Sequence, residues 1–159
     1  FQGKFPLDEG SGKVHAYLDR RFRTQGVPKK KGLDEILEYV KQAGMKTMVA
    51  TSSGRERVEE ILRLAGVSDY FQELICGDEV ERGKPNPDIF LKGCEKLGCM
   101  PQEAWVLEDS EAGIAAACAA GIDCICVPDM KMPSRELQEK VYCMADSLLE
   151  ARDVIAGKK

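Results

Sequence analysis

The run Val106-Leu107-Glu108-Asp109-Ser110-Glu111-Ala112-Gly113-Ile114, continued by alanines to Ala120, restricts this chain more than any other feature. An apolar strand ends in two adjacent carboxylates, and a helix opens at once on a serine. Ligands of open α/β sheets collect beyond the carboxyl ends of their strands, where such a junction lies. Two carboxylates there suit a hard cation such as Mg²⁺, which takes oxygen ligands and keeps water or substrate phosphate in the rest of its shell. Acids in a first helical turn also stabilise the helix dipole, so these residues alone leave both readings open.

The same strand-to-helix alternation runs through the chain. From Lys13 to Gln25, Val14, Tyr17, Leu18 and Phe22 fall on one helical face, followed by a Gly26–Gly32 linker. Leu33, Ile36, Leu37 and Val40 give a second amphipathic stripe, closed by Gly44. Lys46–Thr51 reads as a strand. Ser53 and Glu56 then have capping-box spacing ahead of a helix whose expected buried stripe is Val58, Ile61, Leu62 and Ala65. Glu73–Cys76 is a second strand, and Asn86 and Pro87 open a further helix as cap and first residue. Ala104–Glu108 and Cys124–Val127 are two more strands, with a weak one near Tyr142–Met144 and helices over Ser110–Ala120, Ser134–Lys140 and Ser147–Ile155. This order predicts an α/β fold, a doubly wound parallel sheet covered on both faces.

The 159 residues suffice for one domain with a sizeable core. At 43% hydrophobic and 31% charged, composition is that of a soluble globular protein. A net charge of −4 with dispersed basic residues argues against nucleic acid as a partner. The densest basic run, Lys29-Lys30-Lys31, reads as a solvated loop, and no apolar run reaches membrane-spanning length. Seven cysteines, several inside apolar runs and none in a C-x-x-C pair, fit a reducing cytoplasm better than disulfides or zinc. Cys124 and Cys126 share one face of their strand. The only histidine, His15, is far from any candidate nucleophile, which leaves a Ser-His or Cys-His mechanism without support.

Three strand ends carry polar groups suited to one phosphorylated ligand. At Ala50-Thr51-Ser52-Ser53, hydroxyls precede the backbone N–H groups of a helix start, an anion-binding arrangement, although plain capping explains Ser53 equally well. In Gly83-Lys84-Pro85-Asn86-Pro87-Asp88, two prolines stiffen the loop that presents Lys84. The third is Glu108-Asp109-Ser110 with Gly113, whose missing side chain lets helix and sheet approach closely. A hydroxyl from Thr51, a cation from Lys84 and a metal on Glu108 and Asp109 would together neutralise a transferring phosphoryl group, which is most of what that chemistry asks of a protein.

These segments, in this order and spacing, closely resemble the haloacid dehalogenase-like superfamily, and within it the β-phosphoglucomutase and sugar-phosphatase branch. Ala50-Thr51-Ser52 matches its second motif, Lys84-Pro85-Asn86-Pro87-Asp88 its third and Leu107–Ile114 its fourth. The resemblance implies a Rossmann-like core over residues 28–159 and, over residues 1–27, the end of a helical cap plus linker. It implies phosphate binding by Thr51, Ser52 and Lys84, catalytic parts for Thr51 and Lys84, and Mg²⁺ on Glu108 and Asp109. The family's nucleophile is an aspartate in a D-x-D motif ending a first, central strand ahead of the cap; it becomes an aspartyl phosphate. No D-x-D occurs in this sequence. The expectation is therefore a core lacking its first strand, with no nucleophile of its own and no turnover alone. The reaction expected of the family is phosphatase action on a small phosphorylated metabolite, a sugar phosphate. The alternatives are a phosphomutase, or a non-catalytic remnant that binds phosphate or Mg²⁺ or acts through a partner. A receiver-like or flavodoxin-like module fits poorly, because it would not call for the Lys84 loop and the carboxylate pair together. The expected state is a monomer, or a strand-swapped dimer if the sheet closes between chains.

Overall fold

Five short strands, all paired in parallel, are separated by helices in the computed structural model, which describes residues 17–157. His15 and the start of the helix expected from Lys13 lie outside the described residues. In chain order the elements are α1 (17–25), α2 (Leu33–Gln42), β1 (Met48–Ala50), α3 (Arg55–Ala65), β2 (Glu73–Ile75), α4 (Asp88–Leu97), β3 (Trp105–Glu108), α5 (Glu111–Ala120), β4 (Asp123–Cys126), α6 (Arg135–Gln138), β5 (Cys143–Met144) and α7 (Leu148–Gly157). Three 3₁₀ turns, at Ser68–Tyr70, Gly77–Glu79 and Pro101–Glu103, join them.

The strands form two sheets, β1-β2 and β3-β4-β5, with no ladder between them among the described residues. Met48 pairs with Glu73 and Ala50 with Ile75; Trp105 pairs with Asp123 and Glu108 with Cys126; Ile125 pairs with Cys143. Among the described residues, β1 pairs with β2 alone and β3 with β4 alone.

Side-chain alternation along β4 divides the core. Cys124 and Cys126 point to one face, into a cluster with Ile75, Ile89, Phe90, Cys94, Val106 and the small residues of α5. Ile125 and Val127 point to the other, against Ile36, Val40, Leu148, Ala151 and Ile155 of α2 and α7. The first cluster crosses the break, because α4 packs on β1 and β2 as well as on α5. Gly93 eases this, since a Cβ there would meet the Met48 sulfur at 2.5 Å and the methionine side chain would have to move. Ala116 and Ala117 of α5 are fully buried in the same cluster.

Several local expectations are corrected. The cap of α3 is Gly54, and Ser53 forms no capping box; its N–H instead donates to Thr51 Oγ1 at 3.1 Å, which keeps the chain turning for one more residue. Within α3 only Val58 is buried, while Ile61, Leu62 and Ala65 are half-covered. Asn86 does not cap α4. Its side chain and its N–H both donate to the Gly83 carbonyl, closing the loop, and Pro87 takes the cap position. The lysine run is not a solvated loop throughout, since Lys30 donates to Val127 O at 3.2 Å.

In helix α1 Tyr17 is 60% exposed, while Leu18 and Phe22 are half-buried. The helix is held to α3 by charge, through Arg23–Glu60 at 2.6 Å and Arg57–Asp19 at 2.7 Å.

Candidate active site

β3 ends on Glu108, and its carboxylate turns inward beneath the start of α5. A Cβ at Gly113 would overlap that carboxylate, so glycine at this turn of the helix is what gives Glu108 its place. Glu108 Oε2 accepts from Ser110 Oγ at 2.9 Å and from the N–H groups of Asp109 and Ser110 at 3.2 and 3.3 Å. Ser110 in turn caps α5 by accepting from Gly113 N at 3.1 Å. The junction is thus a closed set of hydrogen bonds in which the cap of the helix also holds the carboxylate.

Glu108 Oε1 accepts from Lys84 Nζ, and both side chains are only 9% exposed. The same ammonium donates to Ala50 O at 3.2 Å and lies 4.8 Å from the centre of the Phe90 ring. Lys84 therefore ties the end of β1 to the end of β3 across the break. Its loop is held by the Asn86–Gly83 bonds and by Arg82, which chelates the Asp88 carboxylate at 2.8 and 3.0 Å.

Thr51 follows Ala50 at the same edge. Its N–H extends the β1-β2 ladder to Ile75 O at 3.0 Å, and its hydroxyl is turned into the loop by the Ser53 N–H. Ser52 is exposed, and its backbone packs so close to Gly77 that a Cβ there would come within 3.0 Å of the Ser52 carbonyl oxygen. Asp109 projects outward, its side chain 46% exposed, with Lys30 Nζ 3.9 Å from Oδ2. The structure therefore joins Lys84 directly to Glu108 and to the Ala50 carbonyl, with Thr51 following Ala50 and Asp109 following Glu108 in the chain.

Burial favours the protonated form of the thiols under this edge. Burial pushes Cys124 up to about 12, with the Glu108 charge adding to it; burial also raises Cys126, helped by Asp109 and Glu108. All seven cysteines are free. Burial raises Cys94 to about 11, with Cys99 contributing.

Two features escaped sequence reasoning. Arg55 donates to Leu74 O at 2.8 Å and to Glu79 Oε1 at 2.5 Å, and Glu79 accepts the Cys76 N–H, so this pair fastens the end of β2 under Ser52. Lys30 is the other. A cavity of about 390 Å³ lined by Gly121, Asp123 and Tyr142 opens at the start of β4, the opposite edge of the sheet, and is unconnected with these groups. The candidate site is an open edge.

The profile of the haloacid dehalogenase-like hydrolases matches residues 9–127. The chain belongs to that family. It is 36% identical over 120 residues to a phosphorylated carbohydrates phosphatase of Thermotoga maritima, covering 76% of this chain and 55% of that protein. A Thermotoga maritima structure assigned as a beta-phosphoglucomutase superposes with a TM-score of 0.83 at 30% identity, over 98% of this chain and 72% of that one. CbbY of Rhodobacter sphaeroides, solved with xylulose-1,5-bisphosphate, gives 0.79 at 26% identity over 93% and 67%. The chain spans about half the length, or less, of the first curated relatives it matches. The core is that of a haloacid dehalogenase-like α/β fold. Among the described residues no helix is long and apolar enough to cross a membrane.

Proposed function

We propose that this chain supplies the phosphate-holding and metal-holding part of a magnesium-dependent phosphatase acting on small phosphorylated carbohydrates. The observation that carries the reading is the buried Lys84 ammonium, bonded at once to Glu108 and to the carbonyl that precedes Thr51. A fixed cation beside hydroxyls and a helix start is an electrostatic cradle for phosphoryl oxygens, preorganised so that nothing need rearrange as charge develops. In this reading Thr51 and Ser52 hold the phosphoryl group by hydroxyl and backbone donation, and Lys84 neutralises it.

Glu108 and Asp109 fit a magnesium ion by their donor chemistry, two adjacent carboxylates of hard oxygen. Asp109 is the more open ligand, since Glu108 Oε2 is already taken by three donors and Oε1 by Lys84. When bound, the ion adds positive charge at the phosphoryl oxygens. The nucleophile is an aspartate outside this sequence, on a strand that lies between β1 and β3. Its carboxylate oxygen forms a bond to phosphorus as the sugar oxygen leaves with a proton from the second aspartate of the D-x-D motif, likewise outside this sequence. Water, giving a proton back to that second aspartate, then cleaves the acyl phosphate to release inorganic phosphate and free the nucleophile. α1 is the end of a helical cap, and the core is monomeric. The carbohydrate class is supported by the phosphatase relative and by the sugar-phosphate proteins among the structural neighbours.

Melting of the chain with inorganic phosphate and MgCl₂ tests the site. A rise in Tm that is lost in Lys84→Met and Thr51→Val is expected; no rise in the unmodified chain overturns the reading. With p-nitrophenyl phosphate and Mg²⁺ the chain alone is expected to give no turnover. Metal-dependent turnover abolished by Asp109→Ala would show that the nucleophile lies within this sequence after all.

A further inference from the structure

Lys30 precedes α2 on a segment whose backbone is clamped. Its carbonyl accepts from Leu33 N, the Lys31 carbonyl accepts from Leu148 N at 3.0 Å, and Gly32, at φ 91°, lies so close to Leu149 that a Cβ would overlap its backbone. From this anchor the ammonium reaches the C-terminal edge of the sheet. It donates to Val127 O at 3.2 Å and Pro128 O at 3.5 Å, and it lies 3.9 Å from Asp109 Oδ2 and 3.8 Å from Asp129 Oδ1. Four oxygens from the loops after β3 and β4 thus surround one side-chain cation. Two carbonyls and two carboxylates form a donor set of the kind that hard cations take.

We infer that Lys30 is an internal counter-cation for Asp109, and that it sets how tightly this edge holds a divalent ion. The inference rests on Asp109 being a metal ligand, as proposed above. The two carbonyls orient the ammonium, while both carboxylates lie beyond hydrogen-bond distance, so their link to Lys30 is coulombic. Without a divalent ion, Lys30 balances the charge that Asp109 and Asp129 would otherwise set against each other across neighbouring loops. A divalent ion on Asp109 meets that positive charge and binds more weakly for it. Lys30 keeps its carbonyls and Asp129 when Asp109 turns to the ion, so the loops stay joined in both states.

Mn²⁺ binding to the full chain, measured by electron paramagnetic resonance of the free ion, tests this. Lys30 and Asp109 are 37% and 46% exposed, so solvent screens them. Removing a unit charge about 4 Å from the ligand is expected to tighten binding about ten-fold in Lys30→Met, close to the scale of a coulombic interaction at that distance in a water-like dielectric. Lys30→Arg keeps the charge and is expected to stay near the unmodified affinity. Lys29→Met makes the same change in net charge, but Lys29 pairs with Asp34 at 2.7 Å, so no change in affinity is expected. In EDTA the Lys30→Met protein is expected to melt below the unmodified chain, with Mn²⁺ closing the gap. If Asp109→Asn abolishes binding while Lys30→Met leaves it unchanged, the counter-cation is overturned and the metal site stands. An equal gain in Lys29→Met reduces the effect to net charge and likewise overturns it. Binding absent, or insensitive to Asp109→Asn in every background, overturns the metal site and the counter-cation with it.

Discussion

Lys84 and Glu108, which belong to different halves of the sheet, form a buried ion pair that joins the two halves at their C-terminal edge. No strand ladder crosses the break among the described residues, so this pair and the packing of α4 carry the connection. Replacing Lys84 by Met leaves the Glu108 carboxylate buried with only its own-loop donors, and an uncompensated buried charge costs about 3 kcal/mol. Urea denaturation is expected to show that loss in Lys84→Met, and a smaller one in the double variant Lys84→Met/Glu108→Gln, which removes both charges. A double variant as unstable as the sum of the single ones would mean that the two groups are not coupled.

Gly113→Ala tests the close approach at the β3-α5 junction. Alanine is the better helix former by about 1 kcal/mol, so propensity alone favours it. Its methyl group would occupy the space of the Glu108 carboxylate, and overpacking of this kind costs about 1–3 kcal/mol. A net loss of stability is expected by chemical denaturation, together with weaker Mn²⁺ binding as the carboxylate is pushed off its donors.

Thiol reactivity reads the depth of the core. Cys124 and Cys94, raised to about 12 and about 11, remain thiols at pH 8 and are buried, so iodoacetamide is expected to modify Cys99 and Cys118 long before them. Peptide mass spectrometry after brief labelling checks the order. The same shift has a consequence for stability. An unfolded Cys124 ionises near its ordinary value of 9.0 and the folded one does not until about 12, so the unfolded state binds fewer protons between these limits. Stability from this residue is full below pH 9.0 and is lost as pH rises towards 12; Cys124→Ala is expected to flatten the alkaline limb of the melting curve.

At Glu79 the sign is reversed. The Cys76 N–H bond and then Arg55 hold its carboxyl below the ordinary value of 4.5. Its contribution is present above that value and is lost as pH falls through the lowered one. Glu79→Gln is expected to lower the Tm at pH 7 and to shrink the difference from the unmodified protein as the solution is acidified towards pH 3. A difference independent of pH would assign the loss to packing.

Helix α1 is attached by ion pairs whose partners are a quarter to nearly two-thirds exposed, and pairs of this kind are screened by salt. Hydrogen exchange of residues 17–25 is expected to accelerate between low and high NaCl, while exchange in α5 does not change. Arg57→Ala is expected to give the fast exchange at low salt.

Much of the core, and the edge proposed to carry the site, was legible in the chain itself, because each of those signals is local. Alternation along Asp123–Cys126, the helical stripe Ile36-Leu37-Val40 and the Glu108-Asp109-Ser110 junction each arise from residues within a turn or a strand of one another. The helix caps were harder to read. Thr51 and Gly83 offered the competing partners for Ser53 and Asn86, and small differences in loop path decided between caps that composition ranks as equal.

Side-chain and loop sequence determined the order of strands and helices, the edge at which their polar groups gather, and the glycine that admits Glu108. Tertiary structure alone decided that one ammonium, Lys84, serves both Ala50 and Glu108, and that Lys30 leaves its lysine run to meet carbonyls 97 and 98 positions further on and the carboxylates of Asp109 and Asp129. Periodicity records which face a residue takes within its own element. Pairings between loops depend on how whole elements stack, and so they exist only once the sheet and its helices have closed around them.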